Sequence, residues 1–226
     1  MLMPELKKVA YDPGRYIDIE TVDEAVNIIT TGTEGLTAQQ RWGTETPALM
    51  ALIEKYIKKE SFVLDYGCGI GRLSKPLINK LGCRVVGVDI SANMRALAAS
   101  CVDSPWFCAM DPLMFDELMV PNDDGYVHWP MFDAAVSVWA LQHCVDLDAV
   151  IRRLSSVVKA RGHLFVVNNK GRCIPVEGGE WADDGIDIEA MIKSSGFSEI
   201  EQGKLDEQIA PGWMREGTFW AIYRRE

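Results

Sequence analysis

From residue 61 onward, short apolar runs alternate with helical stretches, and this alternation constrains the fold more than any other feature of the 226-residue chain. The apolar runs are 62–66, 84–89 (RVVGVD), 106–109 (WFCA), 132–138 (FDAAVSV) and 163–168 (HLFVVN), and the helical stretches are 72–81, 91–101 and 146–159. Runs that are apolar on both faces and spaced by helices predict a parallel sheet covered on both sides, an α/β sandwich of three layers. The C-terminal sequence changes character. DIEAMIKSSGF predicts a helix closing at Gly196, and EIEQGKLDEQ and GTFWAIYRR predict a final pair of strands, which places an antiparallel end on the sheet.

Residues 1–60 carry few β-rich runs. TVDEAVNIIT predicts a short amphipathic helix with a threonine cap. TGTEGLTAQQRWGTE reads as a loop or irregular lid, and TETPALMALIEKYIKKE as a second helix with Thr46 as its cap and Pro47 at its first position. Its Leu49, Leu52, Ile53, Tyr56 and Ile57 stripe is expected to pack on the sheet. The chain thus divides into an N-terminal helical and lid segment, 1–44, and a principal domain, 45–226. Two loops are long for a compact domain, 120–131 and 169–185. The second begins at the carboxyl end of a strand, the side on which open α/β sheets bind ligands.

Composition narrows the partners. Lys+Arg 23 against Asp+Glu 33 gives a formal net charge of −10, which opposes a polyphosphate backbone and argues against nucleic acid. No apolar stretch reaches the roughly 18 residues of a membrane span. The opening MLMPELKKVAYDPGRY has early charges and a proline where a secretory signal has an apolar segment, so the cytoplasm is the expected location. Six cysteines (68, 83, 101, 108, 144 and 173) form no Cys-x-x-Cys pair, and are read as reduced thiols in turns and core, with no metal site. Nothing in the sequence sets an oligomeric state.

The stretch FVLDYGCGIGRLSKPL, 62–77, joins the first run to the first helix through Gly67, Gly69 and Gly71. Gly-x-Gly-x-Gly departs from the dinucleotide fingerprint, which needs a glycine where Arg72 stands, and no Gly-Lys-Ser/Thr follows for a triphosphate loop. Glycines at such a turn let the backbone approach a ligand closely. Asp65 supplies the sign: a carboxylate at the turn repels pyrophosphate and favours an ammonium or sulfonium, so a locally cationic nucleoside is the preferred ligand. Asp89 ends the next run, 18 residues after Gly71, where an acidic group can accept from a ribose diol. Ile90 is placed to cover a purine face. Asp111 and the Met110 N–H are placed for the edge of the base. Each Asp alone also fits a turn former or a helix cap.

Together these residues closely resemble the class I S-adenosylmethionine-dependent methyltransferases. VLDYGCGIGRL resembles the first motif of that family, VVGVDIS its ribose-binding second strand, CAMD its adenine-contacting segment and FDAAVSVWALQH its fourth segment, over residues 45–168. The resemblance implies a seven-stranded, mostly parallel sheet with its last strand antiparallel and helices on both faces. It also implies S-adenosylmethionine as cofactor and S-adenosylhomocysteine as product. By the same resemblance Asp65 would reach the methionine ammonium, and Gly67, Cys68 and Gly69 would line the methionine moiety. Asp89 would bind the ribose, Ile90 would pack on adenine, Met110 and Asp111 would meet its edge, and Val138 would lie beside the cofactor. Pro112 departs from the small residue with a free N–H found in many relatives.

SVWALQH lacks both the Asn/Asp-Pro-Pro-Tyr/Phe segment of amino-group nucleic-acid methyltransferases and the Pro-Cys pair of cytosine C5 enzymes. With the acidic charge, this favours a small-molecule acceptor. The alternatives are a protein or RNA methyltransferase, another S-adenosylmethionine-using transferase, and a non-catalytic partner subunit that binds the cofactor. In-line methyl transfer draws on positioning, and His143, after the fourth strand, is the candidate base, its other reading being a capping or packing residue. Arg41 and Trp42 are candidates to close over the cofactor, Arg41 facing the methionine carboxylate; the competing reading is a surface arginine beside a core tryptophan. His128, Asn168 and Asn169 are candidates for substrate contact.

Overall fold

The computed structural model describes residues 7–9, 16–32, 35–119, 131–176, 180–207, 209–210 and 212–226. Among the described residues, three elements precede the strand that enters the glycine turn: β1 (Lys7–Lys8), α1 (Val22–Ile29) and α2 (Ala38–Ile53). Then follow β2 (Phe62–Tyr66), α3 (Ser74–Leu81), β3 (Arg84–Val88), α4 (Ala92–Val102), β4 (Phe107–Met110), α5 (Pro112–Met119) and β5 (Phe132–Val138). The remainder is α6 (Leu147–Val157), β6 (Val158–Asn169), β7 (Ile174–Val176), β8 (Glu180–Asp183), α7 (Ile188–Ser194), β9 (Phe197–Gly203), α8 (Trp213–Gly217) and β10 (Thr218–Arg225).

The main sheet has seven strands in the order β4-β3-β2-β5-β6-β10-β9. β4, β3, β2, β5 and β6 pair in parallel, and β10 runs antiparallel to both β6 and β9. The expected antiparallel end is therefore present, made by the last strand inserting between its two neighbours. Its two faces are both buried. Leu64, Val86, Ala135 and Val166 pack with Ile151, Leu154 and Ile188 of α6 and α7 on one side. Val63, Val85, Val136 and Phe165 pack with Leu49, Ile53 and Leu77 of α2 and α3 on the other. Burying one such aliphatic side chain contributes about 1.5–3 kcal/mol, and covering both faces is what makes the strands read as continuous apolar runs. After β2 the chain builds β3 and β4 on one side, then returns to lay β5 on the other. The carboxyl ends of β2 and β5 consequently flank a topological switch point, the place where open α/β sheets form a binding crevice.

Local chemistry explains most boundaries. Thr21 caps α1 in a reciprocal box: its hydroxyl accepts from the Glu24 N–H, and the Glu24 carboxylate accepts from the Thr21 N–H. A second box, Thr37 with Gln40, starts α2 well before Thr46. This corrects two expectations, a loop over 31–45 and a helix capped at Thr46. Pro47 lies inside α2, on its exposed face, where the hydrogen bond that it cannot donate leaves a carbonyl facing solvent. α2 also runs across positions 44 and 45, and Leu49 and Ile53 from its second half join the core of the sheet.

β6 begins at Val158, earlier than the apolar run predicts, because exposed Lys159–Arg161 extends the strand through an irregular register against β5. The loop after β6 holds the antiparallel hairpin β7–β8, and β1 adds to it, Lys7 opposite Asp183, as a separate three-stranded sheet. α5 was not anticipated, although Asp-Pro at 111–112 is a cap followed by a first-position proline. Residues 120–130, with the candidate His128, lie outside the described residues.

Candidate cofactor and acceptor site

The glycine turn leaves β2 and is bound at once to the next strand: the N–H groups of Gly67 and Cys68 both donate to the Val88 carbonyl, at 2.7 and 3.0 Å. Gly67 has φ 79°. A Cβ there would stand 2.2 Å from the Ala140 Cβ, so only glycine lets the turn meet the segment after β5. Gly69 and Gly71 share the left-handed backbone. Cys68 is buried, and burial pushes its thiol well above the ordinary range.

Asp65, the fourth residue of β2, is buried at the root of this turn. Its Oδ2 accepts from the Ser74 hydroxyl at 2.6 Å, and no cation is paired with it among the described residues. Burial raises its pKa to about 6; the Ser74 hydrogen bond opposes the shift and the nearby Asp89 charge adds to it. A carboxylate whose ionised form is held under strain in this way gains from a cation placed against it. Asp89 follows β3, and its carboxylate accepts from the Gly69 N–H and the Ser91 N–H, both at 2.9 Å. Burial raises its pKa as well. Each carboxylate oxygen retains acceptor capacity beyond one N–H. Ile90, next in the chain, is 75% exposed, a large apolar side chain standing in solvent beside the acid. Met110 is buried at the end of β4, its carbonyl taking the Asp89 N–H at 3.2 Å. Asp111 serves as the cap of α5, its Oδ1 accepting from the N–H groups of Met114 and Leu113, which hold its carboxyl below the usual range. Val138 is half-buried at the end of β5, opposite Val167 of β6.

Arg41 is only 2% exposed and lies in a cluster that the sequence reading had not assembled. Glu45, one turn further along α2, accepts from Arg41 Nη2 at 2.7 Å, Arg72 Nη1 at 2.9 Å and Trp139 Nε1 at 2.8 Å. Burial alone would raise the Glu45 pKa, but the two guanidinium charges and the Trp139 bond hold it below the usual range. Arg72 also donates to the Thr46 hydroxyl and stacks over Trp42, at 5.1 Å from the ring centre. One carboxylate thus joins α2, the end of the glycine turn and the segment after β5. Two guanidinium charges share it, and Arg41 Nε and Arg72 Nη2 are buried donors without a partner among the described residues. Trp139 holds its indole there with φ 60°, an uncommon backbone for a bulky residue.

His143 ends a short 3-10 turn, Leu141–His143, after β5. Its Nδ1 lies 2.9 Å from the Cys173 carbonyl, and its Nε2 3.1 Å from Gln142 Nε2 and 3.5 Å from the Tyr16 hydroxyl. The rings of Tyr16 and Trp181 stand against it at 5.5 and 6.4 Å between centroids. Burial lowers its pKa, which keeps the imidazole neutral and able to accept a proton near pH 7. Asn168 is wholly buried near the end of β6, with its Oδ1 unpartnered among the described residues, and Asn169 lies opposite Thr218. His163 sits at the other end of the sheet, beside Tyr56. Tyr16, Glu45, Trp139 and Trp181 escaped the sequence reading; for Glu45 the spacing of Arg41 and Glu45, four apart on one helix face, was the available signal. All six cysteines are free, and no group of three or more His, Cys, Asp or Glu could hold a metal among the described residues.

Comparison with known proteins finds relatives for the central part of the chain. A family model described as "Methyltransferase domain" matches residues 64–166, from β2 through most of β6. Over those residues, a little under half of the chain, the sequence is similar to that methyltransferase family. A ubiquinone biosynthesis O-methyltransferase of Bradyrhizobium diazoefficiens is 31% identical over 110 residues, which cover 49% of this chain and 40% of the relative. The human mitochondrial ubiquinone biosynthesis O-methyltransferase is 32% identical over 109 residues, 46% of this chain and 27% of its own. The chain therefore spans less than half the length of these curated relatives. Among solved structures, an S-adenosylmethionine-dependent methyltransferase from Mesorhizobium loti superposes with a TM-score of 0.60 at 17% identity, covering 81% of this chain and all 100% of the other. That likeness shows a shared fold.

Proposed function

We propose that the chain binds S-adenosylmethionine across the carboxyl ends of β2, β3 and β4 and transfers its methyl group to a small-molecule acceptor. The observation that carries this reading is the buried Asp65 carboxylate, with no cation paired to it among the described residues, beneath a left-handed glycine turn. Such a site penalises a phosphate and favours a positively charged ligand. The other residues fit the remaining parts of the cofactor. Asp89 has acceptor capacity for the ribose hydroxyls, exposed Ile90 offers an apolar face to adenine, and Met110 and Asp111 stand at the next strand end for its edge. Gly67, Cys68 and Gly69 would line the methionine chain, with Val138 beside it. The surplus positive charge of Arg41 and Arg72 over Glu45, and their two unpartnered donors, suit the methionine carboxylate, with Trp42 closing the side.

When bound, the cofactor supplies an electrophilic methyl group on a cationic sulfur with a neutral thioether as leaving group. The protein's part is to hold the acceptor in line and to take its proton, and positioning of this kind can account for several kcal/mol of a barrier, up to about 7–11. His143 Nε2 is the proton acceptor in this reading, since Nδ1 is committed to the Cys173 carbonyl. An oxygen acceptor is supported by the names of the relatives, O-methyltransferases of ubiquinone biosynthesis. No helix among the described residues is long and apolar enough to cross a membrane, and six free thiols suit the cytoplasm. Calorimetric titration tests the reading: S-adenosylmethionine and S-adenosylhomocysteine should bind and NAD should not, and the absence of heat and of thermal stabilisation with both sulfur ligands would sink it.

A further inference from the structure

Arg172 lies in the loop after β6, and its side chain has no exposed surface. Its Nη1 pairs with Asp184 at 2.5 Å, while Nη2 crosses to the segment after β5 and donates to the carbonyls of Cys144 and Val145. The next residue completes the join: the Cys173 N–H donates to the Gln142 carbonyl at 2.9 Å, and the Cys173 carbonyl receives His143 Nδ1. Residues 142–145 are thus fastened to 172–173 by side chain and backbone together. A carbonyl has no proton to give, so a neutral imidazole bonded to it carries its proton on Nδ1 and presents Nε2 as an acceptor. Free imidazole has no such preference imposed on it. The Gln142 amide nitrogen, 3.1 Å from Nε2, can only donate and favours the same tautomer; the Cys173 hydrogen bond, and whatever holds its carbonyl in place, adds to that preference.

We propose that Arg172 is a positioning residue for methyl transfer: by clamping the loop after β6 onto the turn after β5, it holds the Cys173 carbonyl against His143 and fixes the tautomer whose Nε2 receives the acceptor's proton. The proposal rests on the reading of His143 as the base, but its test does not need turnover. Long-range proton–nitrogen NMR of the uniformly labelled full chain reports the protonation of each ring nitrogen, and the signals missing from His143→Asn identify the residue. In the wild type at pH 7.5 His143 should show a protonated Nδ1 and a bare Nε2. Arg172→Met should lower the ratio of that tautomer about five-fold, the equivalent of about 1 kcal/mol for one neutral hydrogen bond, and Arg172→Lys should restore part of it. Asp184→Asn, which leaves the buried guanidinium in place, should move the ratio the same way by less, and it serves as the test if Arg172→Met does not fold.

A wild-type ring protonated on Nε2 would overturn the proposal, and so would an unchanged tautomer ratio in folded Arg172→Met or, failing that variant, in Asp184→Asn. Titration of the same wild-type sample with S-adenosylhomocysteine keeps the two questions apart. Loss of binding there would remove the methyl-transfer reading and leave the tautomer result standing.

Discussion

The two halves of the proposed site are built differently. The cofactor half is a turn and three strand ends, with Gly67, Asp65, Asp89 and Met110 all positioned by parallel pairing and by main-chain bonds over a short stretch of chain. The acceptor half gathers Tyr16, His143, Cys173 and Trp181 from the N-terminal segment, the turn after β5 and the loop after β6. Backbone geometry makes the first and long-range side-chain contacts make the second. A site of the first kind tolerates sequence change away from a few fixed positions. One of the second kind can be rebuilt by altering loops while the sheet stays as it is.

Four substitutions and titrations would break or sharpen that contrast. Glu45→Gln should have the largest effect, because it leaves Arg41 and Arg72 buried without a countercharge; a loss of about 3–5 kcal/mol in urea unfolding is expected. A loss below 1 kcal/mol would mean that the Glu45 cluster does not fasten α2 to the glycine turn. Gly67→Ala comes next. It combines a left-handed φ with a Cβ driven into Ala140, and about 2–4 kcal/mol should be lost together with cofactor binding. Asp89→Ala should weaken S-adenosylhomocysteine binding by about 1–3 kcal/mol by calorimetry, the scale of a charge-assisted hydrogen-bonding site. An unchanged affinity would place the ribose elsewhere.

The same contrast explains what the sequence made legible. β2 and β5 were read to their terminal residues because a strand buried on both faces leaves an uninterrupted apolar run, and Asp65, Asp89 and the glycines stood out because their spacing is local. α2 was misread because Pro47 outweighed the Thr37–Gln40 box, although on a solvent face proline costs a helix one bond rather than its continuity. The hairpin β7–β8 gave no signal, because its three and four residues are too short to set a period and its partner β1 lies more than 160 residues away. Arg72 was noticed only as a missing glycine. Its role depends on Glu45 from another helix, a pairing that no spacing encodes. His143 could be located at a strand end, but the carbonyl 2.9 Å from its Nδ1 comes from 30 residues downstream.

The smallest of the four effects tests the central claim, that the Asp65 charge selects a cationic ligand. Its folded pKa, about 6, lies above its ordinary value of 3.8. The folded protein therefore holds an extra proton between these values, and Asp65 lowers stability as pH rises through that window. A cation bound against the ionised carboxylate must displace the proton. Calorimetry of S-adenosylhomocysteine binding, whose ammonium keeps its charge across the range, should accordingly show affinity rising about tenfold from pH 5 to pH 7 and levelling above, the slope expected of one linked proton. In Asp65→Asn the affinity should be weaker and the slope smaller, the remainder coming from Asp89, whose pKa burial also raises. An equal pH dependence in both proteins, or tight binding by Asp65→Asn, would contradict the account.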